Sequence, residues 1–162
     1  LVHHEDGFNA DEAERLSAKR NLYRRLGLPA AHRLVVPSRR LERIARTTWK
    51  QPPGRLQRIP NGIPVKRFGR AAAIPGLPQD GAPVIGTAAR LGAVKNLPRL
   101  VRAFAHVPQP ARLVIVGEGP ERERIQAQAD QLGLTERVLL PGFMPDPATF
   151  MGAFDIFALS SD

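Results

Sequence analysis

The chain has 162 residues, 43% of them hydrophobic and only 6% aromatic, which is enough for about one domain with an aliphatic core. Its formal net charge is +9, from 24 Lys and Arg against 15 Asp and Glu, and this favours anionic partners such as nucleotide phosphates, nucleic acid or a membrane surface. The absence of cysteine excludes disulfides, Cys-based metal sites and a Cys nucleophile, and it is typical of a cytosolic protein, so we expect a cytoplasmic location.

No stretch of the sequence approaches the roughly 18 apolar residues of a membrane span, and no signal peptide is recognisable. The chain opens with LVHHEDG, without an initiator methionine, and closes with FALSSD, at the end of a strand-like run. We therefore expect a piece of a longer protein, truncated at both ends.

Residues 1–62 alternate short apolar runs with amphipathic stretches. LVHHEDGFN is typical of a strand end that runs into a loop, and NADEAERLSAKRNLYRRLGLP predicts a helix capped by Asn9 or Asp11. HRLVVPS predicts a short buried strand, after which Ser38 can cap a helix over RRLERIARTTWK. LQRIPNG predicts a further short strand that is closed by a Pro-Asn-Gly turn.

The composition changes over residues 63–83. IPVKRFGRAAAIPGLPQDGAP contains four prolines and three glycines and shows no helix or strand period. This composition predicts a linker across a domain boundary.

Residues 84–162 alternate strand-like and helix-like segments. The strand cores VIG, LVIV, VLL and IFAL lack polar alternation, as in sheets that are covered on both faces. Strict alternation of strand and helix implies right-handed crossovers and a parallel sheet. Ligands bind outside the carboxyl ends of the strands in such sheets, and the residues expected at those ends are Arg90, Gly117, Gly142 and Ser160.

Two cations, Arg90 and Lys95, follow the first strand of this second half and precede a predicted helix. A helix N-terminus already carries about half a positive charge, so further cations there are unfavourable unless an anion binds. Arg90 offers a forked donor and Lys95 a mobile charge, and Asn96 adds donors with the free helix N–H groups. We interpret the pair as a pyrophosphate clamp, although two solvated loop cations would give the same pattern.

The segment VGEGPERERI has only a weak likeness to a phosphate-binding loop. It lacks the third glycine of the dinucleotide fingerprint and the GK[ST] of a P-loop, and the glutamates at its helix start repel phosphate. Gly117 and Gly119 instead give the neutral part of a ligand access to the backbone, or they form a tight structural turn.

His3 and His4 precede Glu5 and Asp6, but no distant residue with metal-ligand spacing accompanies them. A histidine at a strand end can orient or polarise a sugar hydroxyl if it faces a cleft. An ordinary surface histidine is the alternative for at least one of the two.

Taken in order, these segments resemble the GT-B-fold glycosyltransferases of the family 4 type, which use nucleotide sugars and retain anomeric configuration. VVPS and IPNGIPVKRF resemble the family's crossing from acceptor to donor domain, and VIGTAARLGAVKNLPRLVRAF resembles its donor-domain opening. LVIVGEGPERERI, LGLTERVLLPGFMPD and FDIFALSS are similar to the units that follow.

The resemblance implies an α/β fold of the GT-B type, with a Rossmann-like parallel sheet and helices on both faces. Residues 1–62 would be the C-terminal part of the acceptor domain, 63–83 the interdomain linker, and 84–162 a partial donor domain.

The same resemblance assigns roles by position. Arg90 and Lys95 would hold the diphosphate and stabilise the leaving nucleotide, and His3 would face the donor sugar, with His4 as the alternative match. Donor-binding residues would be Arg90, Lys95, Asn96, Gly117, Glu118, Gly119, Gly142, Phe143 and Met144, the last three within a segment that extends to Asp146, and Asn61 and Gly62 would form the hinge.

Within the family, VHHEDGFN most resembles bacterial exopolysaccharide-associated sugar transferases, although Asp6 stands where a second histidine is usual. The resemblance implies a nucleotide diphosphate sugar as co-substrate, no metal or other cofactor, and a glycan or lipid-linked acceptor. It also implies peripheral contact with the inner face of a membrane, and no nucleic acid partner. The family's two donor-site glutamates, expected just after SSD, are not in the chain, so we expect these 162 residues alone to be inactive.

Two alternatives remain at this point. A non-catalytic basic α/β module would bind nucleotide or a polyanion, either RNA or an anionic membrane, with strong salt dependence. Few aromatic residues and no RNA-binding signature are present, which is unfavourable for RNA. A sugar-nucleotide epimerase would share the fold and the donor site but lack the acceptor domain.

Overall fold

The structure is a computed structural model that describes residues 1–7, 12, 16–68 and 73–161. The chain divides into two compact units, Leu1–Ile63 and Pro64–Asp162, and each unit contains its own parallel sheet. Within the described residues, no helix has both the length and the apolar composition that a bilayer crossing requires.

The first unit is a three-stranded parallel sheet in which each connection is a helix. The strands lie in the order β1, β2, β3, and the side chain of Ser38 caps the second helix by accepting a hydrogen bond from the Leu41 N–H at 3.1 Å. The first helix begins later than the sequence pattern predicts, and Ser17 is its cap, while Asn9 and Asp11 lie outside the described residues. The elements are β1 (Val2–His4), α1 (Ala18–Gly27), β2 (Arg33–Val36), α2 (Arg39–Thr47) and β3 (Leu56–Arg58).

The core of the first unit lies between β2 and α2, and Leu28, which follows α1, is also buried in it. Leu34 and Val36 of β2 pack with Leu41 and Ala45 of α2 around Trp49, which is fully buried. The indole N–H of Trp49 donates to the side-chain oxygen of an α1 residue, Asn21, at 2.9 Å. This core fixes which face of α2 points to solvent.

The second unit is a four-stranded parallel sheet in the order β6, β5, β4, β7. Aliphatic strand cores without polar alternation produce the buried strands that the sequence predicts, and the predicted α/β class is confirmed. The elements are β4 (Val84–Ala88), α3 (Leu97–Phe104), β5 (Arg112–Val116), α4 (Arg122–Gln131), β6 (Val138–Gly142) and β7 (Ile156–Phe157).

The two faces of this sheet are covered differently. Residues of α3 and α4, including Val101, Phe104 and Ile125, pack on one face. The other face carries Phe150 and two short 3₁₀ helices, Pro147–Thr149 and Met151–Ala153.

The stretch 63–83, which we expected to be a linker, differs from that expectation over its second part. Ile74 and Leu77 are buried in the core of the second unit, at 2% and 9% exposure. Asp80 forms a bidentate pair with Arg112 of β5, with distances of 2.6 and 2.7 Å. The segment therefore packs on the sheet although it has no periodic pattern, because two apolar anchors and one ion pair suffice to hold an irregular chain.

Candidate functional site

A cleft of about 470 Å³ lies at the carboxyl ends of β4, β5 and β6. The chain that follows β5 leads to the face covered by α3 and α4, whereas the chain that follows β6 leads to the opposite face. Such a divergence leaves a crevice at the sheet edge, which is where open parallel sheets bind ligands. The cleft is lined by Ala88, Ala89, Arg90, Val116, Gly117, Glu118, Phe143, Met144, Pro145, Pro147 and Phe150.

The loop that carries Arg90 is fixed by backbone hydrogen bonds to the loop after β5. The Ala89 N–H donates to the Val116 carbonyl at 3.0 Å, and the Leu91 N–H donates to the Glu118 carbonyl at 2.9 Å. These bonds extend the strand pairing past the ends of β4 and β5. The Arg90 side chain therefore extends from a fixed backbone position at the rim of the cleft.

Gly117 and Gly119 make this close approach of the two loops possible. A Cβ at Gly117, whose φ is 138°, would overlap the Ala89 carbonyl, and a Cβ at Gly119 would lie 2.5 Å from the Leu91 carbonyl. Gly117 also lines the cleft, but Gly119 does not. The tight structural turn, one of the two alternatives open from the sequence, fits both glycines, and their predicted contacts with the donor stay predictions.

The two cations of the predicted clamp occupy different parts of the same sheet edge. Arg90 is exposed and lines the cleft, while Lys95 is half-buried at the end of a 3₁₀ turn, Ala93–Lys95, and does not line it. Within the described residues, neither side chain has a hydrogen bond or an ion pair. Both positive charges are therefore available to an anion.

Asn96 connects the Lys95 turn to α3. It has a φ of 44°, in the left-handed region that asparagine tolerates better than most residues, and its backbone N–H donates to the Ala93 carbonyl at 2.9 Å. This conformation turns the chain sharply from the 3₁₀ turn into the helix. Asn96 does not line the cleft, so its predicted donor contact stays a prediction.

The acidic side of the cleft is built from Glu118 and its partner Arg122. Their side chains are 3.1 Å apart, and Arg122 also donates to the Leu140 carbonyl at 2.9 Å. Gly142, with a φ of 91°, does not line the cleft but leaves room for Glu118, since a Cβ there would lie 3.0 Å from the carboxylate. Glu118 is thus held in place at the opening while remaining half-exposed.

The wall after β6 combines an exposed ring with a braced turn. Phe143 is 70% exposed at the cleft, and Met144 lies beside it in the lining. Asp146 accepts a hydrogen bond from the Ala148 N–H at 3.1 Å and pairs with Arg67 at 2.6 Å. The wall is therefore fixed at its base while the Phe143 ring faces solvent.

The apolar floor of the cleft includes residues that sequence reasoning missed, among them Ala88, Val116 and Phe150. Each reads as an ordinary core position in the sequence. Ala88 and Val116 end strands, next to predicted site residues, and Phe150 follows the predicted segment 142–146 by four positions. Position in the sequence was thus the signal that could have identified them.

His3 and His4, the two candidates for facing the donor sugar, each lie beside a carboxylate, and these two carboxylates differ in exposure. The Nε2 of His3 lies 3.4 Å from Glu5, which in turn pairs with Arg24 at 3.2 Å, and the Glu5 side chain is only 14% exposed. The Nε2 of His4 lies 3.2 Å from Asp6, whose side chain is 79% exposed. No cluster of three or more His, Asp or Glu suited to a metal ion occurs among the residues described.

The hinge candidates Asn61 and Gly62 are exposed and lie in an irregular stretch just before the boundary between the two units. A Cβ at Gly62 would meet nothing within 4 Å, so packing does not require glycine there. Their role as a hinge stays a prediction.

The glycosyl transferases group 1 family model matches residues 73–162, which is more than half of the chain. The chain therefore belongs to the glycosyl transferases group 1 family.

Two curated relatives illustrate the similarity. A 2-deoxystreptamine glucosyltransferase from Streptomyces kanamyceticus is 37% identical over 92 residues, which cover 53% of this chain and 24% of the relative. An N-acetylgalactosamine-N,N'-diacetylbacillosaminyl-diphospho-undecaprenol 4-alpha-N-acetylgalactosaminyltransferase from Campylobacter jejuni is 39% identical over 72 residues, 44% of this chain and 20% of the relative. The matched regions therefore represent a quarter or less of each relative.

Solved structures show the same fold. The structure of Anabaena Alr3699/HepE in complex with UDP and glucose has a TM-score of 0.75 at 23% identity, over 99% of this chain and 46% of that one. Sucrose-phosphate synthase from Thermosynechococcus elongatus has a TM-score of 0.74 at 24% identity, over 99% of this chain and 44% of that one. The fold is accordingly α/β of the GT-B type, with Rossmann-like parallel sheets.

Proposed function

We propose that the cleft binds a nucleotide diphosphate sugar and that the protein transfers the hexose, with retention, to a glycan or lipid-linked acceptor. The observation that carries the proposal is Arg90, a cation that has no ion pair with any described residue and lies at the rim of an otherwise largely apolar cleft. An apolar pocket with a few polar groups suits the nucleoside, and a cation at its rim suits the diphosphate that is attached to it.

The diphosphate would lie against Arg90 and Lys95, with Asn96 and the N-terminal N–H groups of α3 nearby. The nucleoside would enter the cleft between Glu118 and Phe143, with Met144 in the wall behind. In this arrangement the base meets an aromatic face, while the ribose hydroxyls meet a carboxylate that Arg122 already holds in position.

Breaking the sugar–phosphate bond leaves additional negative charge on the nucleotide diphosphate. Fixed cations at the leaving oxygen stabilise that charge as it develops, which lowers the barrier to departure. Arg90 and Lys95 would supply this stabilisation with protein cations alone, so the proposal includes no metal ion and no further cofactor.

Between the two histidines, we assign the role toward the donor sugar to His3. Its carboxylate partner Glu5 is largely buried and is itself held by Arg24, whereas the partner of His4 is an exposed aspartate. A fixed carboxylate orients an imidazole ring, as second-sphere carboxylates do in other sites. Glu5 would then be a positioning residue for His3.

Retention, membership of family 4 and the exopolysaccharide-associated subgroup are proposed on the sequence resemblance alone. A lipid-linked acceptor would bring the protein to the inner face of a membrane, in a cytoplasmic location. Since the matched regions represent a quarter or less of the two curated relatives described above, we expect the 162-residue chain to bind the donor without turning it over. The assignment of residues 1–62 to an acceptor domain and of 84–162 to a donor domain belongs to the same proposal.

UDP is the probe of choice, because the similar Anabaena structures are described as complexes with UDP and with UDP-glucose. We would measure UDP binding by calorimetry for the wild type, Arg90→Ala and Lys95→Ala. Losing one charge-assisted contact costs about 1.5–3 kcal/mol, so the dissociation constant should rise about ten- to hundredfold in each variant.

The matched control is Arg102→Ala, which removes an exposed arginine of α3 whose side chain donates to Gln128 at 3.4 Å. Its UDP affinity should stay within about twofold of the wild type, since its charge is screened over a Debye length of about 8–10 Å. Equal affinities in all four proteins would overturn the assignment of the diphosphate to Arg90 and Lys95.

A further inference from the structure

The first unit carries a row of arginines that the donor cleft does not use. Arg39, Arg43 and Arg46 recur at the i, i+4 and i+7 positions of α2, and Arg58 of β3 lies beside them. Together with Glu42 and Thr47 these four residues line an open groove of about 620 Å³. We call Arg39, Arg43, Arg46 and Arg58 the arginine stripe.

The packing of α2 fixes the stripe toward solvent. Leu41 and Ala45 are buried against Trp49 at 4% and 0% exposure, so the helix cannot rotate without exposing its apolar face. Arg39, Arg43 and Arg46 lie on the other side and are exposed. The helix rise of about 1.5 Å per residue spreads these three over roughly 10 Å along the axis.

The charge of the stripe is poorly compensated. Glu42 is the one acid in the groove, and it pairs with Arg58 at 3.5 Å. Over the part of the chain that the structure describes, the side chains of Arg39, Arg43 and Arg46 have no ion pair or hydrogen bond. Like charges at i and i+4 destabilise a helix, and Arg39 also opposes the positive N-terminal end of the helix dipole. An anion that lies along the stripe would relieve both effects.

The form of the groove favours an extended anionic surface over a small ligand or a nucleic acid. Its cations are exposed and spaced along a line, whereas a pocket for a single phosphate would enclose its cations. Among the described residues, no aromatic side chain lines the groove, so these residues offer bases no stacking platform. A bilayer leaflet with anionic headgroups presents closely spaced negative charges to several arginines at once.

We infer that the arginine stripe docks the protein on a membrane surface rich in anionic phospholipid. The attraction is electrostatic and reversible, because the described lining of the groove offers guanidinium groups and no apolar side chain for insertion. The proposed function includes contact with a membrane, and this inference says which residues make that contact. It rests on the proposed function for this point alone. Vesicle binding needs neither donor nor acceptor, so the two can fail separately.

The experiment is co-sedimentation of the 162-residue protein with vesicles of phosphatidylcholine, with or without phosphatidylglycerol. The test variant replaces Arg39, Arg43 and Arg46 by glutamine, and the control replaces Lys19, Arg25 and Lys66 by glutamine. All six side chains are exposed, and both variants lose three positive charges. Trp49, the single tryptophan and fully buried, reports by its fluorescence whether the first unit remains folded.

Each arginine near an anionic leaflet contributes a factor of about five, so the test variant should bind phosphatidylglycerol vesicles about a hundredfold more weakly than the wild type. The control variant should lose no more than about tenfold, because Lys19 and Arg25 belong to α1 and Lys66 to the other unit, and none of them lines the groove. Equal losses in the two folded variants would overturn the stripe, since net charge alone would then explain binding.

A third variant, with Arg39, Arg43 and Arg46 replaced by lysine, separates a charged surface from a fitted phosphate site. Lysine keeps the charge but not the fork of donors, so vesicle binding should stay within about threefold of the wild type if the stripe reads surface charge. Loss of binding in this variant, undiminished binding to pure phosphatidylcholine, or tighter binding to single-stranded RNA than to vesicles would each overturn the inference. Inorganic phosphate at millimolar concentration should not release the protein, and release would indicate a soluble ligand instead.

Discussion

The hydroxyl of Ser160 donates a 2.8 Å hydrogen bond to the backbone carbonyl of Lys95, across 65 residues of sequence. The bond joins the segment after β7 to the 3₁₀ turn that carries Lys95, at the same edge of the sheet as the cleft. Arg90 is held by the loop after β5, so the two cations are positioned by different neighbouring strands.

Ser160→Ala should therefore weaken nucleotide binding without removing any charge. A lost hydrogen bond costs about 0.5–1.5 kcal/mol, and we expect UDP affinity to fall by about two- to tenfold as the Lys95 turn loosens. Calorimetry with UDP measures the change. Ser161→Ala is the control, since Ser161 is exposed and no hydrogen bond of its side chain is present among the described residues. An unchanged affinity in Ser160→Ala would mean that the turn does not need this bond.

Phe143→Ala should lower nucleotide affinity with little effect on stability. The ring is 70% exposed at the cleft, so its removal leaves no cavity in the core. Stacking of a base on an aromatic side chain is worth about 1–3 kcal/mol, which predicts about a five- to 150-fold loss of UDP affinity. Ribose 5-phosphate, which has no base, should bind the variant and the wild type alike. A comparable loss for both ligands would place the base elsewhere.

The sheet of the second unit was predictable because its strands are aliphatic and buried on both faces. β4 and β5 are formed by the apolar runs VIGTA and RLVIV, and the carboxyl ends of these strands lie at the cleft. The site residues that were predicted and that line the cleft, such as Arg90 and Phe143, lie within a few residues of such ends. Strand-end position was therefore the most reliable guide to the site.

What the sequence did not reveal depends on contacts between distant segments. Ile74 and Leu77 look like part of a linker until Phe150 and Val114 are seen to pack on them. The sequence leaves Gly117 as either a ligand-approach glycine or a tight turn, and it does not show that Ala89, 28 positions earlier, occupies the space beside it. Periodicity reports the face of a single element and carries no information about which loop lies against it.

Gly117→Ala tests this loop packing. A non-glycine residue at a φ of 138° carries about 1–3 kcal/mol of backbone strain, and its Cβ would also overlap the Ala89 carbonyl. We expect a lower melting temperature together with weaker UDP binding, because the Arg90 loop must shift. Gly81→Ala is the matched control, since Gly81 has a φ of 77° but open space around it, and it should show the strain alone. Equal destabilisation by the two substitutions, with UDP affinity intact, would contradict the packing role of Gly117.

The Asp80–Arg112 pair predicts a distinct acid response for the segment that packs on β5. Hydrogen bonds from the Arg112 guanidinium, together with one from the Ala82 N–H, lower the pKa of Asp80 from 3.8 to about 2. Because the folded pKa lies below the unfolded one, the ionised carboxylate stabilises the fold above about pH 4, and this contribution disappears as the pH falls toward 2.

Asp80→Asn should accordingly melt below the wild type at pH 5, and the difference in melting temperature should shrink as the pH approaches 2. Carbon-13 NMR of the Asp80 carboxyl should give a titration midpoint at a pH of about 2, the pKa of this carboxyl in the folded protein. Glu136→Gln serves as the control, because Glu136 is exposed and makes no ion pair among the described residues, so its melting temperature should follow the wild type at every pH. A melting difference between Asp80→Asn and the wild type that stays constant from pH 5 to pH 2 would show that the ionised pair does not hold the segment on β5.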